Sequence, residues 1–198
     1  MIRLLYAVSH EEAVDAAELS AGGFAGVERS GVGFSTPAFE PLYRIVPARQ
    51  PGTSPVDAGH DLHEQAEAHH DVQILQANGG AFVSPRELWQ VLEAANHRRV
   101  KIAWDAALGR EAGRRAALVV PTLNLRLGLV RIDREDDEAL AYARRLAGIG
   151  FGGFIVIDPP AGEAEGRFAT AQKIAATITA AIAPRKPAKP AAVAKPKA

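Results

Sequence analysis

Short solid apolar runs alternate along the chain with longer stretches in which apolar residues recur every three or four positions, the pattern of buried strands separated by one-sided helices. The clearest unit runs from Asp71 to Asp105. Val72 to Leu75 is an apolar run that gives way to Gln76 and Asn78, after which Gly79 and Gly80 supply a turn. Ser84, Pro85 and Glu87 then predict a helix start, with a hydroxyl cap, a proline at the first position and a glutamate able to reach back in a capping box. Leu88, Val91, Leu92 and Ala95 give that helix one buried face, and Val100 to Trp104 reads as the next strand, ending on Asp105. Two parallel strands joined by a helix place their polar residues together at the carboxyl ends of the strands.

The same pattern recurs on both sides. Ile2 to Val8 reads as the first strand; Ser9 and Glu12 make a second capping box for a helix with Ala13, Ala16 and Ala17 on one side, and Phe24 to Glu28 is the following strand. Residues 29 to 56 carry five prolines, and only Leu42 to Val46 looks like a strand there. Asp57 to His70 reads as a polar helix whose inner face is Leu62, Gln65, Ala66 and His69. After Asp105 comes an arginine-rich connection with Arg110, Arg114 and Arg115, then Leu118 to Leu125 around Pro121. Leu127 to Ile132 is a strand, followed by a helix with acids at its start, Glu135 to Glu138, and Arg144 and Arg145 at its end, as the helix dipole favours. Phe154 to Ile157 is the last strand, ending on Asp158 and Pro159-Pro160, and a final helix from Glu163 to Ala183 shows Ala171, Ile174, Ala175, Ile178 and Ile182 on one face.

Strand then helix, repeated six or seven times, predicts an α/β protein with a parallel sheet, either a closed barrel or a doubly wound layer. Neither GxGxxG nor GxxxxGK[ST] follows any strand, so the barrel is favoured.

Composition narrows the function classes. With 198 residues, 47% of them hydrophobic, the chain predicts one domain, residues 1 to 183, followed by a Pro/Ala/Lys tail from 184 to 198 too poor in apolar residues to fold. Basic and acidic residues balance at 23 each, which argues against nucleic acid and anionic membrane as partners. Five of the 23 basic residues lie in the tail, so 18 remain against 23 acidic ones in residues 1 to 183. The absence of cysteine excludes disulfides, thiolate zinc sites and a cysteine nucleophile, and fits a cytoplasmic location. The amino terminus is too short in apolar residues for a signal peptide, and no window is long enough to span a bilayer.

The run ILQANGGAFVSPRELWQVLEAANHRRVKIAWD resembles the stretch of sugar phosphate isomerase/epimerase proteins, in the xylose isomerase-like TIM-barrel superfamily, where a strand ends in Glu-Asn-x-Gly-Gly and the next in Trp-Asp-x-x-His. YAVSHEEAVDAAELSAGGFAGVE resembles that family's first βαβ unit, its Val-Glu pair matched by Val27-Glu28, and LGLVRID and GFIVID resemble its last two strands. The resemblance implies a TIM-barrel-like (β/α) repeat of six to eight parallel strands. A full barrel takes about 250 residues, so the 183 before the tail predict a shortened or incomplete one, with the shortage between Glu28 and Leu42. It also implies a divalent metal held by Glu, Asp, His and Glu, and an isomerase or epimerase acting on a small sugar or sugar phosphate.

Carried over by position, those ligands fall on Gln76, Asp105, Arg131 and Asp158, with Leu108 where a His would follow Asp105. Two acids, an amide and a guanidinium make a weak cage for a hard cation, which predicts metal binding that is weak or absent. Asp105 and Asp158 remain as candidate catalytic or metal carboxylates with Gln76, or else merely end their strands and cap the following turns. Glu28, Arg131 and Arg110 are candidate ligand-binding residues, with Arg114 and Arg115 completing a phosphate clamp; loop arginines otherwise serve solubility. Trp104 could stack on a sugar or lie in the core. His60 with Glu64 and His63 with Glu67 stand four apart on one helix, a metal pattern that a solvated face explains equally, and a helix preceding its strand belongs to the outer ring of a barrel. Two functions follow: a sugar phosphate isomerase/epimerase, or a non-catalytic barrel-like module that binds a ligand or partner. An apurinic-site endonuclease would need more His and acidic ligands than this chain has. The incomplete region after Glu28 predicts an exposed edge between Ser30 and Pro55 that a second copy of the chain could cover.

Overall fold

The computed structural model describes residues 2–8, 15–29, 33–35, 43–46, 52–69, 72–76, 82, 84–160 and 166–183. The tail, the Ser9 to Ala13 start of the first helix and the Gly79-Gly80 turn lie outside them. Among the described residues there are eight strands: β1 (Arg3–Val8), β2 (Gly26–Arg29), β3 (Gly33–Ser35), β4 (Tyr43–Val46), β5 (Val72–Gln76), β6 (Val100–Asp105), β7 (Leu127–Ile132) and β8 (Phe154–Ile157). The helices are α1 (Ala16–Ala21), α2 (Pro55–Ala68), α3 (Pro85–Ala95), α4 (Ala106–Glu111), α5 (Ala116–Leu123), α6 (Asp137–Gly148) and α7 (Arg167–Ile182).

The strands form one sheet in the order β3-β2-β1-β8-β7-β6-β5-β4. The two end strands, β3 and β4, bring Cα atoms within 8 Å of each other, with no ladder between them among the described residues, so the sheet curls into a barrel. That seam is the incompleteness the short chain demands. All pairs are parallel except β2 with β3. Seven of the described strands thus run parallel, within the six to eight expected, while β3, with only Gly33, Phe34 and Ser35, is too short to be announced as a strand. Among the described residues no helix lies between β2 and α2, so β3 returns directly as a hairpin.

Local signals decide most helix ends. Ser84 and Glu87 form the predicted capping box, with Ser84 Oγ accepting from Glu87 N at 3.2 Å and Glu87 Oε2 accepting from Ser84 N at 3.1 Å. Leu88, Val91, Leu92 and Ala95 are all buried, as are Ala171, Ile174, Ala175 and Ile178 of α7. In α1 the expectation is reversed: Ala16 and Ala17 are exposed, Leu19 is the buried residue, and Asp15 caps the helix. The arginine-rich connection after Asp105, whose arginines are read as loop residues, and the stretch around Pro121 fold as α4 and α5, with Pro121 inside α5. α2 packs against α3 closely enough that a Cβ on Gly59 would fall 2.6 Å from the Val91 carbonyl oxygen, so only glycine fits there.

Alternation along the strands divides the core. Leu5, Ala7, Ala103, Leu129, Phe154 and Val156 form a small cluster inside the barrel, while the larger cluster, including Trp104, Val130, Ile155 and Tyr142, lies between the sheet and the helices. Among the described residues no helix is long and apolar enough to cross a membrane.

Candidate functional site

The inward positions just above the apolar plug carry charge. Ala7 of β1 is level with Glu28 of β2, Asp105 of β6 with Arg131 of β7, and Asp158 follows directly on β8. The alternation that sends Ala103 and Leu129 inward therefore puts Asp105 and Arg131 at the carboxyl mouth of the barrel. Gln76 ends β5 level with Ala103, at the same end of the sheet.

Arg131 is the hub. Its Nη2 donates to both oxygens of Glu28, at 2.9 and 3.0 Å, crossing the mouth from β7 to β2. Its Nε lies 3.6 Å from Asp158 Oδ2, buried and beyond hydrogen-bond reach. The other Asp158 oxygen accepts from Arg167 Nη2 at 2.5 Å, and Arg167 Nε donates to the Pro159 carbonyl at 3.1 Å. Asp105 Oδ1 accepts from the main-chain N–H groups of Ala107 and Leu108 at 2.8 and 3.1 Å, capping α4. Asp105 thus ends its strand as a cap, level with Arg131 of β7.

Desolvation sets the acidities. Glu28 is only 2% exposed, and burial pushes its carboxyl above the usual glutamate range by more than Arg131 pulls it down. Burial likewise pushes Asp105 up, against the N–H groups of Leu108 and Ala107 and the nearby Arg131. A second network flanks the mouth. Arg110 Nη2 donates to Asp133 at 2.9 and 3.0 Å and its Nη1 to Asp136 at 3.4 Å, and Arg134 Nε donates to Asp133 at 2.8 Å. Burial raises the Asp133 carboxyl, but Arg110 and Arg134 outweigh it and hold it below the usual range.

The other candidate residues take their own places. Of the arginines expected to clamp a phosphate, Arg110 lies in α4 and faces Asp133 and Asp136, and Arg115 Nη1 lies 3.9 Å from Glu138 Oε2. Trp104 does not face the mouth. It alternates with Ala103 and Asp105, is fully buried on the helix side of the sheet, and lies so close under α4 that a Cβ on Gly109 would fall 2.7 Å from its ring. The His/Glu helix is α2, which packs on α3 in the outer layer; His63 Nδ1 is 2.8 Å from the Ala95 carbonyl and His97 Nε2 is 2.9 Å from Glu67 Oε1.

Arg167 was not foreseen. A cation at the first position of a helix opposes the dipole and calls for a carboxylate partner, which Asp158 supplies. That signal was hidden because the helix was expected to begin at Glu163.

The donor set does not suit the divalent metal that the fold implies. Arg131 lies within ion-pairing distance of both Glu28 and Asp158, so a fixed cation stands among the carboxylates. Among the described residues no three His, Asp or Glu side chains are grouped to hold an ion.

No protein-family model matches the chain, and no curated protein matches it. Solved structures do. A 3-keto-D-glucoside 4-epimerase from E. coli superposes with a TM-score of 0.70 at 12% identity, covering 91% of this chain and 100% of its own. A sugar phosphate isomerase/epimerase from Parabacteroides distasonis gives a TM-score of 0.64 at 10% identity over 92% of this chain and 94% of its own. The chain spans about half, 53%, of a D-psicose 3-epimerase from Clostridium cellulolyticum, which covers 63% of this chain at 16% identity and a TM-score of 0.47. The fold is therefore that of the sugar phosphate isomerase/epimerase and xylose isomerase-like TIM barrels.

Proposed function

We propose that the carboxyl mouth of the barrel binds a small sugar or sugar phosphate, and does so without metal-assisted isomerisation. The observation that carries this reading is the Arg131 guanidinium reaching across the mouth to Glu28 and Asp158. In a low-dielectric mouth a fixed cation repels a divalent ion and cancels part of the carboxylate charge that would attract one. What is left suits neutral and anionic polar ligands. Asp105 and Asp158 accept hydrogen bonds from hydroxyl groups, and Arg131 donates to a ligand oxygen or pairs with a phosphate. Glu28 holds the guanidinium in place.

The neighbouring structures that are named as epimerases and isomerases support a sugar as the ligand class, and the Arg131 network supports binding over turnover. Calorimetric titration of the full chain with manganese, and separately with a panel of aldoses, ketoses and their phosphate esters, tests both halves. The expected result is no stoichiometric manganese binding, and saturable binding of at least one sugar or ester that Arg131→Ala weakens by about tenfold, or 1.4 kcal/mol. Micromolar manganese binding that is lost on Asp105→Ala would restore the metalloenzyme.

A further inference from the structure

The opposite end of the barrel carries cations arranged in another way. β2, β5, β6, β7 and β8 are each preceded there by a turn leaving a helix, so carbonyl groups of helix ends gather at the amino ends of these strands. Arg99 Nη2 donates to the Ala66 carbonyl in the last turn of α2, Arg126 Nη2 to the Leu92 carbonyl in the last turn of α3 at 3.1 Å, and Lys101 Nζ to the Leu125 carbonyl at 2.8 Å. Among the described residues, none of these three cations is in an ion pair with a carboxylate.

Lys101 and Arg126 are neighbours. Lys101 is the second residue of β6, and Arg126 immediately precedes Leu127, which pairs with Ile102. Both side chains are partly buried. Main-chain carbonyls fix where the two cations sit but leave most of their charge uncancelled. Burial and then the Arg126 charge pull the Lys101 ammonium below the usual lysine range, as befits two like charges without a counter-ion.

We propose that Lys101 and Arg126 form a binding site for a phosphate group at the amino end of the barrel. The guanidinium offers a planar fork to two phosphate oxygens, and the ammonium adds a point charge beside it. A dianion placed between them turns a repulsion into two attractions. The site lies at the other end of the barrel from the mouth, beyond the apolar plug, and does not depend on what the mouth binds.

Calorimetric titration of the full chain with inorganic phosphate and with glycerol phosphate, at ionic strength matched with chloride, tests it. The expected Kd is on the order of 1 mM, raised about tenfold by Lys101→Met. Arg126→Met should match Lys101→Met, and should it fail to fold, Lys101→Met decides alone. A lower Kd for glycerol phosphate assigns the site to phosphate esters, and equal values assign it to the phosphate group alone. No saturable heat up to about 20 mM, or a Kd indifferent to Lys101→Met, overturns the proposal.

Discussion

The two ends of this barrel handle positive charge in opposite ways. At the carboxyl mouth Arg131, Arg110 and Arg167 each face a carboxylate, Glu28, Asp133 and Asp158. At the amino end Arg99, Lys101 and Arg126 lean on main-chain carbonyls, and Arg3 lies 4.1 Å over the Phe154 ring. Paired charges hold one another, so removing a partner leaves a desolvated charge behind. Carbonyl-anchored charges leave only a carbonyl behind, which water or a neighbouring N–H can satisfy. Stability should therefore depend on the mouth, while the floor keeps positive potential available to a ligand.

The largest effect should come from breaking the mouth hub. Glu28→Ala leaves Arg131 only the 3.6 Å approach to Asp158, and removing one member of a buried pair costs about 3–5 kcal/mol; urea unfolding should show it. The double variant Glu28→Gln with Arg131→Met should recover most of that loss, since neither charge is then unpaired. A loss under about 1 kcal/mol in the single variant would mean that the mouth is wet and the contrast is false.

Next comes Asp133, whose hydrogen bonds to two arginines are worth about 1.5–3 kcal/mol. Its folded carboxyl is more acidic than the unfolded one, so its contribution is complete above the ordinary aspartate range and disappears as pH falls through the depressed value. Asp133→Asn should remove that acid-side loss from the pH profile of unfolding. Glu28 acts with the opposite sign. The folded chain holds its proton more tightly than the unfolded chain, so stability contributed by this group rises as pH falls between the ordinary glutamate value and the raised one. Glu28→Gln should flatten that limb.

At the floor, Lys101→Met gives up one hydrogen bond and relieves a repulsion, so the net change should be within about 1 kcal/mol in the absence of phosphate. A larger loss would place the floor in the same class as the mouth. Smallest of all, deleting residues 184 to 198 should leave the melting temperature unchanged, because nothing in that stretch can bury enough apolar surface to offset ordering. A drop of several degrees would show that the tail docks.

The sequence carried the repeat well and the pairing poorly. Capping boxes, helix-period apolar faces and strand-ending acids are local, so α3, α7, β6 and the carboxyl-end placement of Asp105, Arg131 and Asp158 could be read directly. β3 could not, because three residues with a glycine first have no period to read, and its direction depends on the absence of a crossover helix. Trp104 lies in the core for a geometric reason. A strand alternates faces at every residue, so the neighbour of an inward aspartate points outward. The partner of Arg131 was invisible because 103 positions separate it from Glu28.

The pairing of β1 with β8 has a consequence for synthesis. Arg3 to Tyr6 finds its partners at Phe154 to Ile157, so the first strand emerges from the ribosome long before the strand that will cover its free side. β4 through β8, by contrast, are joined in chain order and can add one strand at a time. At about 5–20 residues per second, the β1–β2–β3 unit waits on the order of 10 s with one edge unpaired. During that interval β1, five of whose six residues end up buried, is the segment most in need of a chaperone, and slow closure over so long a loop should set the folding rate of the whole domain.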